Sequence, residues 1–282
     1  MLFDAHTHLN FEEFTEEERQ QRAEEIEQSD VGAIIDAGDC AESSRQAVAD
    51  AERYAWCYAA VGIHPEQASD YTEEDLQIIR QLAGHPKVRA IGEIGLDFYY
   101  GKDNKEEQIG LFRRQIRIAN ELRMPIMIHT RDANQITMDI LKEEGAFSSQ
   151  RKEWFPKRPG PDGHPEPDAR VQLHCFSGSA ELARQYTALG AAISIGGPVT
   201  FKNGRRTVEV AKRIPAEYLL TETDAPYLTP EPFRGRPNRS PYVEHVARRI
   251  ALIKGMEYED LTAVVWKNGC RFFDISCDLE EE

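Results

Sequence analysis

The sequence predicts an α/β fold, a (β/α)8 TIM barrel carried by residues 1–275 as a single domain. Three observations predict it. Short β-rich runs alternate with longer stretches of helical period. The runs are almost continuously apolar, as strands of a parallel sheet covered on its outer side are. There are eight of them, the number that closes a barrel. A doubly wound open sheet is the competing arrangement, but no GxGxxG turn follows the first run.

In chain order the predicted strands are LFDA (2–5), GAIID (32–36), CYAAV (57–61), VRAIG (88–92), IMI (126–128), VQL (171–173), AISI (192–195) and YLLT (218–221). Helical patterns follow at 16–28, 42–53, 73–83, 106–122, 133–144, 180–189 and 204–213, and two more, at 242–254 and 258–272, close the chain. One segment breaks this rhythm. Residues 146–169, AFSSQRKEWFPKRPGPDGHPEPDA, hold five prolines and read as a long irregular insertion between the fifth helix and the sixth strand. A helix-to-strand connection lies at the bottom of a barrel, opposite the face that carries active sites, so His164 and the basic residues of this loop are set aside. Residues 276–282 form a short acidic tail.

Composition narrows the setting. Hydrophobic residues make up 40% of the chain and charged residues 29%, enough for a large core and a soluble surface. No apolar run reaches the roughly 18 residues that would span a bilayer, and the first residues lack a secretory pattern. Five cysteines without CxxC spacing suit reduced thiols, so a cytoplasmic protein is expected. The net charge of −15 argues against a polyanionic partner unless basic groups are gathered locally.

The polar residues that interrupt the apolar runs fall at one end of the barrel. His6 and His8 follow the first strand, His64 the third, Glu93 and Asp97 the fourth, His129 the fifth, His174 the sixth and Asp224 the eighth. In an extended chain, residues two apart share a face, so His6 and His8 aim at one point. Taken singly, each residue reads equally as a structural histidine or an ion-pair partner. Together, so many buried polar groups at one rim would cost several kcal/mol each unless cations sit among them. Imidazole and carboxylate suit Zn²⁺, Mn²⁺ or similar ions, and no thiolate cluster suggests a closed structural zinc site. Cys175, beside His174, reads as a core residue facing away. Six ligands are too many for one tetrahedral ion with an open position. They fit two ions with a carboxylate between them, which points to metal-assisted hydrolysis by an activated hydroxide.

The motifs DAHTHL, VGIHP, IGEIGLDF, IHTRDA, HCFSG and TETDAPYL, in this order, resemble those of the TatD-type metal-dependent deoxyribonucleases of the amidohydrolase superfamily. The resemblance implies a TIM barrel holding two divalent ions, Mg²⁺, Mn²⁺ or Zn²⁺. It implies His6, His8 and Asp224 on one ion, His129 and His174 on the other, and Glu93 bridging them. Asp224 would also orient or deprotonate the attacking water, while His64 would face the substrate. The implied reaction is phosphodiester hydrolysis, 3′–5′ exonucleolytic trimming of single-stranded DNA or DNA ends. A hydrolase of a small ester, lactone, phosphotriester or aminoacyl ester on the same barrel is the alternative.

Loops after the seventh and eighth strands of barrels often hold phosphate, and here they carry Lys202, Arg205, Arg206, Arg234, Arg236 and Asn238. Lys202, Arg234 and Asn238 are therefore expected to touch substrate, with weak, salt-dependent binding of DNA. Asp97 and Arg131 are expected to orient the ligands, and Asp132 reads equally as a helix cap. Tyr99 and Tyr100 read either as base-stacking or as packing residues. Two departures from the family pattern, Glu66 after GIHP and the longer spacing from Arg234 to Pro241, fall on loops that would meet substrate. A monomer is the expected state.

Overall fold

The apolar runs become strands that pair only with their neighbours in the chain. In the computed structural model, which describes residues 1–276, eight of them form one parallel sheet. The strands are β1 (Leu2–Thr7), β2 (Val31–Ala37), β3 (Cys57–Val61), β4 (Val88–Asp97), β5 (Ile126–Arg131), β8 (Val171–Leu173), β9 (Ala191–Ile195) and β10 (Leu219–Thr221). Two further strands, β6 (Arg158–Pro159) and β7 (Pro165–Glu166), make a separate antiparallel hairpin. Helices cover the outside of the sheet: α1 (Glu16–Glu27), α2 (Ala41–Arg53), α3 (Glu73–Leu82), α4 (Lys105–Leu122), α5 (Asn134–Glu143), α6 (Ser149–Glu153), α7 (Ala180–Ala188), α8 (Arg205–Arg213), α9 (Val243–Lys254) and α10 (Tyr258–Phe273).

The two sheet faces divide the core. Leu2, Ile34, Val61, Ile91, Ile128 and Ile193 point outward to the helices. Phe3, Ala5, Ala33, Ile35, Ala60, Ala90 and Met127 fill the interior, where small side chains leave room for the larger ones. Phe273 of α10 stacks on Phe3 with ring centroids 5.7 Å apart, adding an aromatic layer to that interior.

Among the described residues β1 and the three-residue β10 share no ladder. The seam is closed by other means. Buried Asp4 accepts from the Thr223 N–H (2.8 Å) and hydroxyl (2.6 Å), and Thr221 donates to the Phe3 carbonyl (2.9 Å). Beyond the strands, Asp224 N–H donates to the His6 carbonyl (2.9 Å) and His8 N–H to that of Ala225 (2.8 Å). These last two bonds tie Asp224 to the histidine pair.

The insertion is more ordered than its prolines suggest. It contains α6 and the β6–β7 hairpin, and two buried arginines fasten it to the bottom of the barrel. Arg151 donates to the carbonyls of Ala169 (2.8 Å) and Met124 (2.7 Å) and to the Asn120 side chain (2.8 Å). Arg158 donates to the carbonyls of Ala191 (2.6 Å) and Thr187 (2.5 Å). Of the expected acidic tail, residues 277–282 lie outside the described residues.

Candidate metal centre

Two irregularities in the strands aim the central groups inward. The β1–β2 register shifts between Asp4 and Thr7; Ala5 belongs to the interior, and His6, next in sequence, contacts interior Met127 through Nδ1 at 2.9 Å. The β4–β5 register shifts between Ile91 and Ile94. Both isoleucines pack outward, so Gly92 and Glu93 between them face the interior together. Bulges re-aim side chains in this way. Gly95, at φ +150°, lets β4 and β5 close up here, since a Cβ would stand 1.9 Å from the His129 carbonyl oxygen.

Six side chains converge. His6 Nε2 lies 3.1 Å from His8 Nε2. Both nitrogens stand 3.5 Å from Asp224 Oδ1, and 3.4 and 3.7 Å from Glu93 Oε2. The other Glu93 oxygen, Oε1, faces His129 Nδ1 at 2.8 Å and His174 Nε2 at 2.7 Å, and those two nitrogens are 3.3 Å apart. The His6 ring also stacks on His174 at 3.9 Å between centroids.

This donor set fits divalent ions. Ligand atoms held at about 2.1 Å from one ion stand about 3.0–3.4 Å apart in octahedral or tetrahedral geometry, close to the separations in the His6–His8–Asp224–Glu93 group. Glu93 turns one oxygen to each histidine pair, as a bridging carboxylate does.

The outward nitrogens are fixed as well. His8 Nδ1 pairs with the Ala37 carbonyl (2.8 Å), and His129 Nε2 with Asp97 Oδ2 (3.2 Å). Each presents its other nitrogen to the centre, the arrangement that orients metal-binding imidazoles. Asp97 Oδ1 in turn accepts the N–H groups of Tyr99 (2.9 Å) and Tyr100 (2.8 Å).

The electrostatics describe a site in want of cations. Burial alone would raise Glu93, but His174, His6 and His64 hold it well below the usual carboxylate range. Asp224 is likewise lowered against burial by His6 and His8. For Asp97, the His129 imidazole and the Tyr100 and Tyr99 N–H groups outweigh burial and bring it to about 2. Burial pulls His8 down, yet Asp224 and Glu93 lift it to about 9. His174 rises against burial beside Glu93 and Glu222, and His129 beside Asp97 and Glu93.

His64 differs: burial pushes it down to about 4. Its Nδ1 accepts the Glu66 N–H (3.2 Å), so the neutral ring carries its proton on Nε2, 3.6 Å from Glu93 Oε1. A protonated Nε2 is a donor and not a ligand.

The other expected site residues fare differently. Asn238 is fully buried and turned away from the cavity. Its amide donates to the carbonyls of Thr223 (2.8 Å) and Tyr227 (2.6 Å) and its oxygen accepts the Arg239 N–H (2.9 Å), leaving nothing for a substrate. It braces the loop that carries Asp224. Lys202 and Arg234 are exposed but lie outside the cavity lining, with the Arg234 guanidinium 3.9 Å above the Phe201 ring. Arg131 does not orient a ligand; it is exposed and sits over the rings of Tyr99 (4.4 Å) and Tyr100 (4.7 Å). Cys175 is no core residue. The strand has ended at Leu173 and the backbone turns at φ +42°, so Cys175 lines the cavity.

Sequence reasoning missed Glu222, two residues before Asp224. It is fully buried, accepts the Cys175 N–H, and lies 3.7 Å from His174 Nδ1. The first acid of Thr-Glu-Thr-Asp was the available signal.

The centre forms the floor of a cavity of about 940 Å³ at the C-terminal ends of the strands. Its walls include Phe11, Glu12, Asp39, His64, Glu66, Tyr100, Arg131, Tyr227 and Leu228.

A parallel barrel with histidines and carboxylates gathered on that rim defines a class, the TIM-barrel metal-dependent hydrolases. Comparison with known proteins gives the family. The family model for TatD-related DNases matches residues 3–274. An uncharacterized metal-dependent hydrolase of Bacillus subtilis, YabD, is 42% identical over 98% of this chain and 100% of its own length. A 3′–5′ ssDNA/RNA exonuclease TatD of Erwinia amylovora is 30% identical over 97% of this chain and 100% of its own. Among solved structures, the TatD homologue YjjV of Escherichia coli superposes with a TM-score of 0.84 at 27% identity, covering 98% of both chains. The chain belongs to the TatD family of metal-dependent hydrolases.

Proposed function

We propose that this hydrolase trims single-stranded DNA from its 3′ end with two divalent ions, Mg²⁺, Mn²⁺ or Zn²⁺. The observation that carries the reading is the division of Glu93, one oxygen toward His6 and His8 and the other toward His129 and His174. The exonuclease name of the Erwinia relative supports the substrate.

Bound ions would lower the pKa of a water toward about 7 and offset charge on the attacking and leaving oxygens. The rest falls to the chain. His6, His8 and Asp224 would hold one ion and His129 and His174 the other. Asp224 keeps its carboxylate ionised against burial and serves to orient the attacking water and take its proton. His64 offers its Nε2 proton to a phosphate oxygen. Asp97 and the Ala37 carbonyl keep His129 and His8 in one orientation.

One observation favours a second reading, hydrolysis of a small ester on the same centre. The cavity walls carry Glu12, Asp39 and Glu66, with Arg131 the only Lys or Arg lining it among the described residues. Metal-reconstituted protein incubated with end-labelled single-stranded DNA at low salt, beside p-nitrophenyl esters, separates the two. DNA shortening that stops with EDTA and with Glu93→Ala supports the exonuclease. Ester turnover with intact DNA supports the second reading.

A further inference from the structure

The fold leaves seven large apolar side chains exposed among the described residues; three of them, Tyr100, Tyr227 and Leu228, line this cavity, and a fourth, Tyr99, packs against Tyr100. Tyr99 and Tyr100 are the ordered pair. Their rings meet edge to face at 4.9 Å and are 47% and 64% exposed. Arg131 lies over both rings, and the Lys102 ammonium sits 5.6 Å from the Tyr99 ring. Flat rings with a cation beside them, open to solvent, form a surface on which bases stack while their phosphates are neutralised.

Two facts tie this surface to the metal centre. Asp97 accepts from both tyrosine N–H groups with one oxygen and holds His129 with the other. Arg131 lies two residues beyond His129 on the same strand. The platform therefore keeps a fixed distance from the scissile position. Charge sets the direction. Glu12, Asp39 and Glu66, from the loops after β1, β2 and β3, make the flank that runs up to β4 acidic and repel a polyanion there, whereas Arg131 on β5 is the only Lys or Arg lining the cavity among the described residues.

Resting on the exonuclease reading above, we infer that the DNA strand leaves the centre across Tyr99, Tyr100 and Arg131, with one nucleobase near the cleaved bond stacked on the tyrosines. Single-stranded oligonucleotides test this. Each carries phosphorothioate linkages and 2-aminopurine at one of the last three 3′ positions, and metal-loaded protein is added. Stacking quenches 2-aminopurine, so one position should lose fluorescence with the wild type and keep it with the Tyr99→Ala/Tyr100→Ala variant. A matched set of cleavable oligonucleotides with an abasic site at that position gives the second readout. The wild type should prefer the base-bearing strand about tenfold in kcat/KM, the double alanine variant should show no preference, and Tyr99→Phe/Tyr100→Phe should restore it. Equal quenching in wild type and alanine variant, or an unchanged preference, while DNA is still trimmed, overturns the platform and leaves the exonuclease standing. DNA neither bound nor trimmed by the wild type overturns both.

Discussion

Asp97 shows how much one side chain governs here. It is buried, its two oxygens are committed to His129 and to the Tyr99–Tyr100 turn, and it is held ionised to about pH 2. Replacing it with alanine frees the His129 ring, and losing such a partner lowers metal affinity or activity about 10- to 100-fold. Titration of metal into Asp97→Ala, followed by calorimetry, measures the first effect directly. The imidazoles give a second expectation. Without metal, His8 holds a proton up to about pH 9, and His129 and His174 are also raised. Ions must displace those protons, so binding releases protons and affinity rises with pH through that range. Calorimetry in buffers of different ionisation enthalpy reads the protons released per ion.

At the level of elements, the regular strands and helices were legible and the departures from regularity were not. All eight apolar runs are strands, but 2–5 and 88–92 were expected to end where β1 and β4 continue through their register shifts. Periodicity stops at a bulge, and the bulges are what bring His6 and Glu93 inside. The ligand candidates could still be picked out because ionisable residues stand out in apolar strands. Asn238, Lys202 and Arg234 could not be placed, since a loop's composition does not say which way its side chains turn. Arg151 was passed over for the same reason, inside a stretch that reads as irregular. Its guanidinium is buried against three acceptors, with no carboxylate partner among the described residues, and burial lowers it to about 9. Arg151→Met leaves those acceptors unpaired, at about 1–3 kcal/mol for each one left dry. Urea unfolding should show a clear loss of stability, while the metal centre, at the other end of the barrel, keeps its stoichiometry.

For the whole molecule, pH acts on several buried acids and bases at once. Burial, with Asp50 nearby, raises Asp36 to about 8, and burial raises Asp4 to about 7. Both keep a proton in the fold that the unfolded chain has lost, so their contribution falls as pH climbs from about 4 to 8. His8, raised to about 9, adds a contribution that fades between its unfolded value of 6.5 and that point. Glu93, Asp224 and Asp97 are lowered, and their contribution is lost as pH falls below their unfolded values. Metal-free protein should therefore melt highest near pH 5 and lower at pH 9, whereas metal-loaded protein, whose ions bind better as pH rises, should show a flatter profile. Scanning calorimetry with and without EDTA compares them. The net charge of −15 bears on binding in the same global way. If about three phosphates are neutralised near the cavity, log affinity for single-stranded DNA should fall with log salt at a slope of about −2.

The most direct measurement is the number of divalent ions per chain, by elemental analysis after reconstitution, in the wild type and in Glu93→Gln. The pairing of Glu93 with two histidine sets predicts two ions in the wild type and fewer than two in the variant. One ion in the wild type, or two in both proteins, would contradict a centre built around that carboxylate.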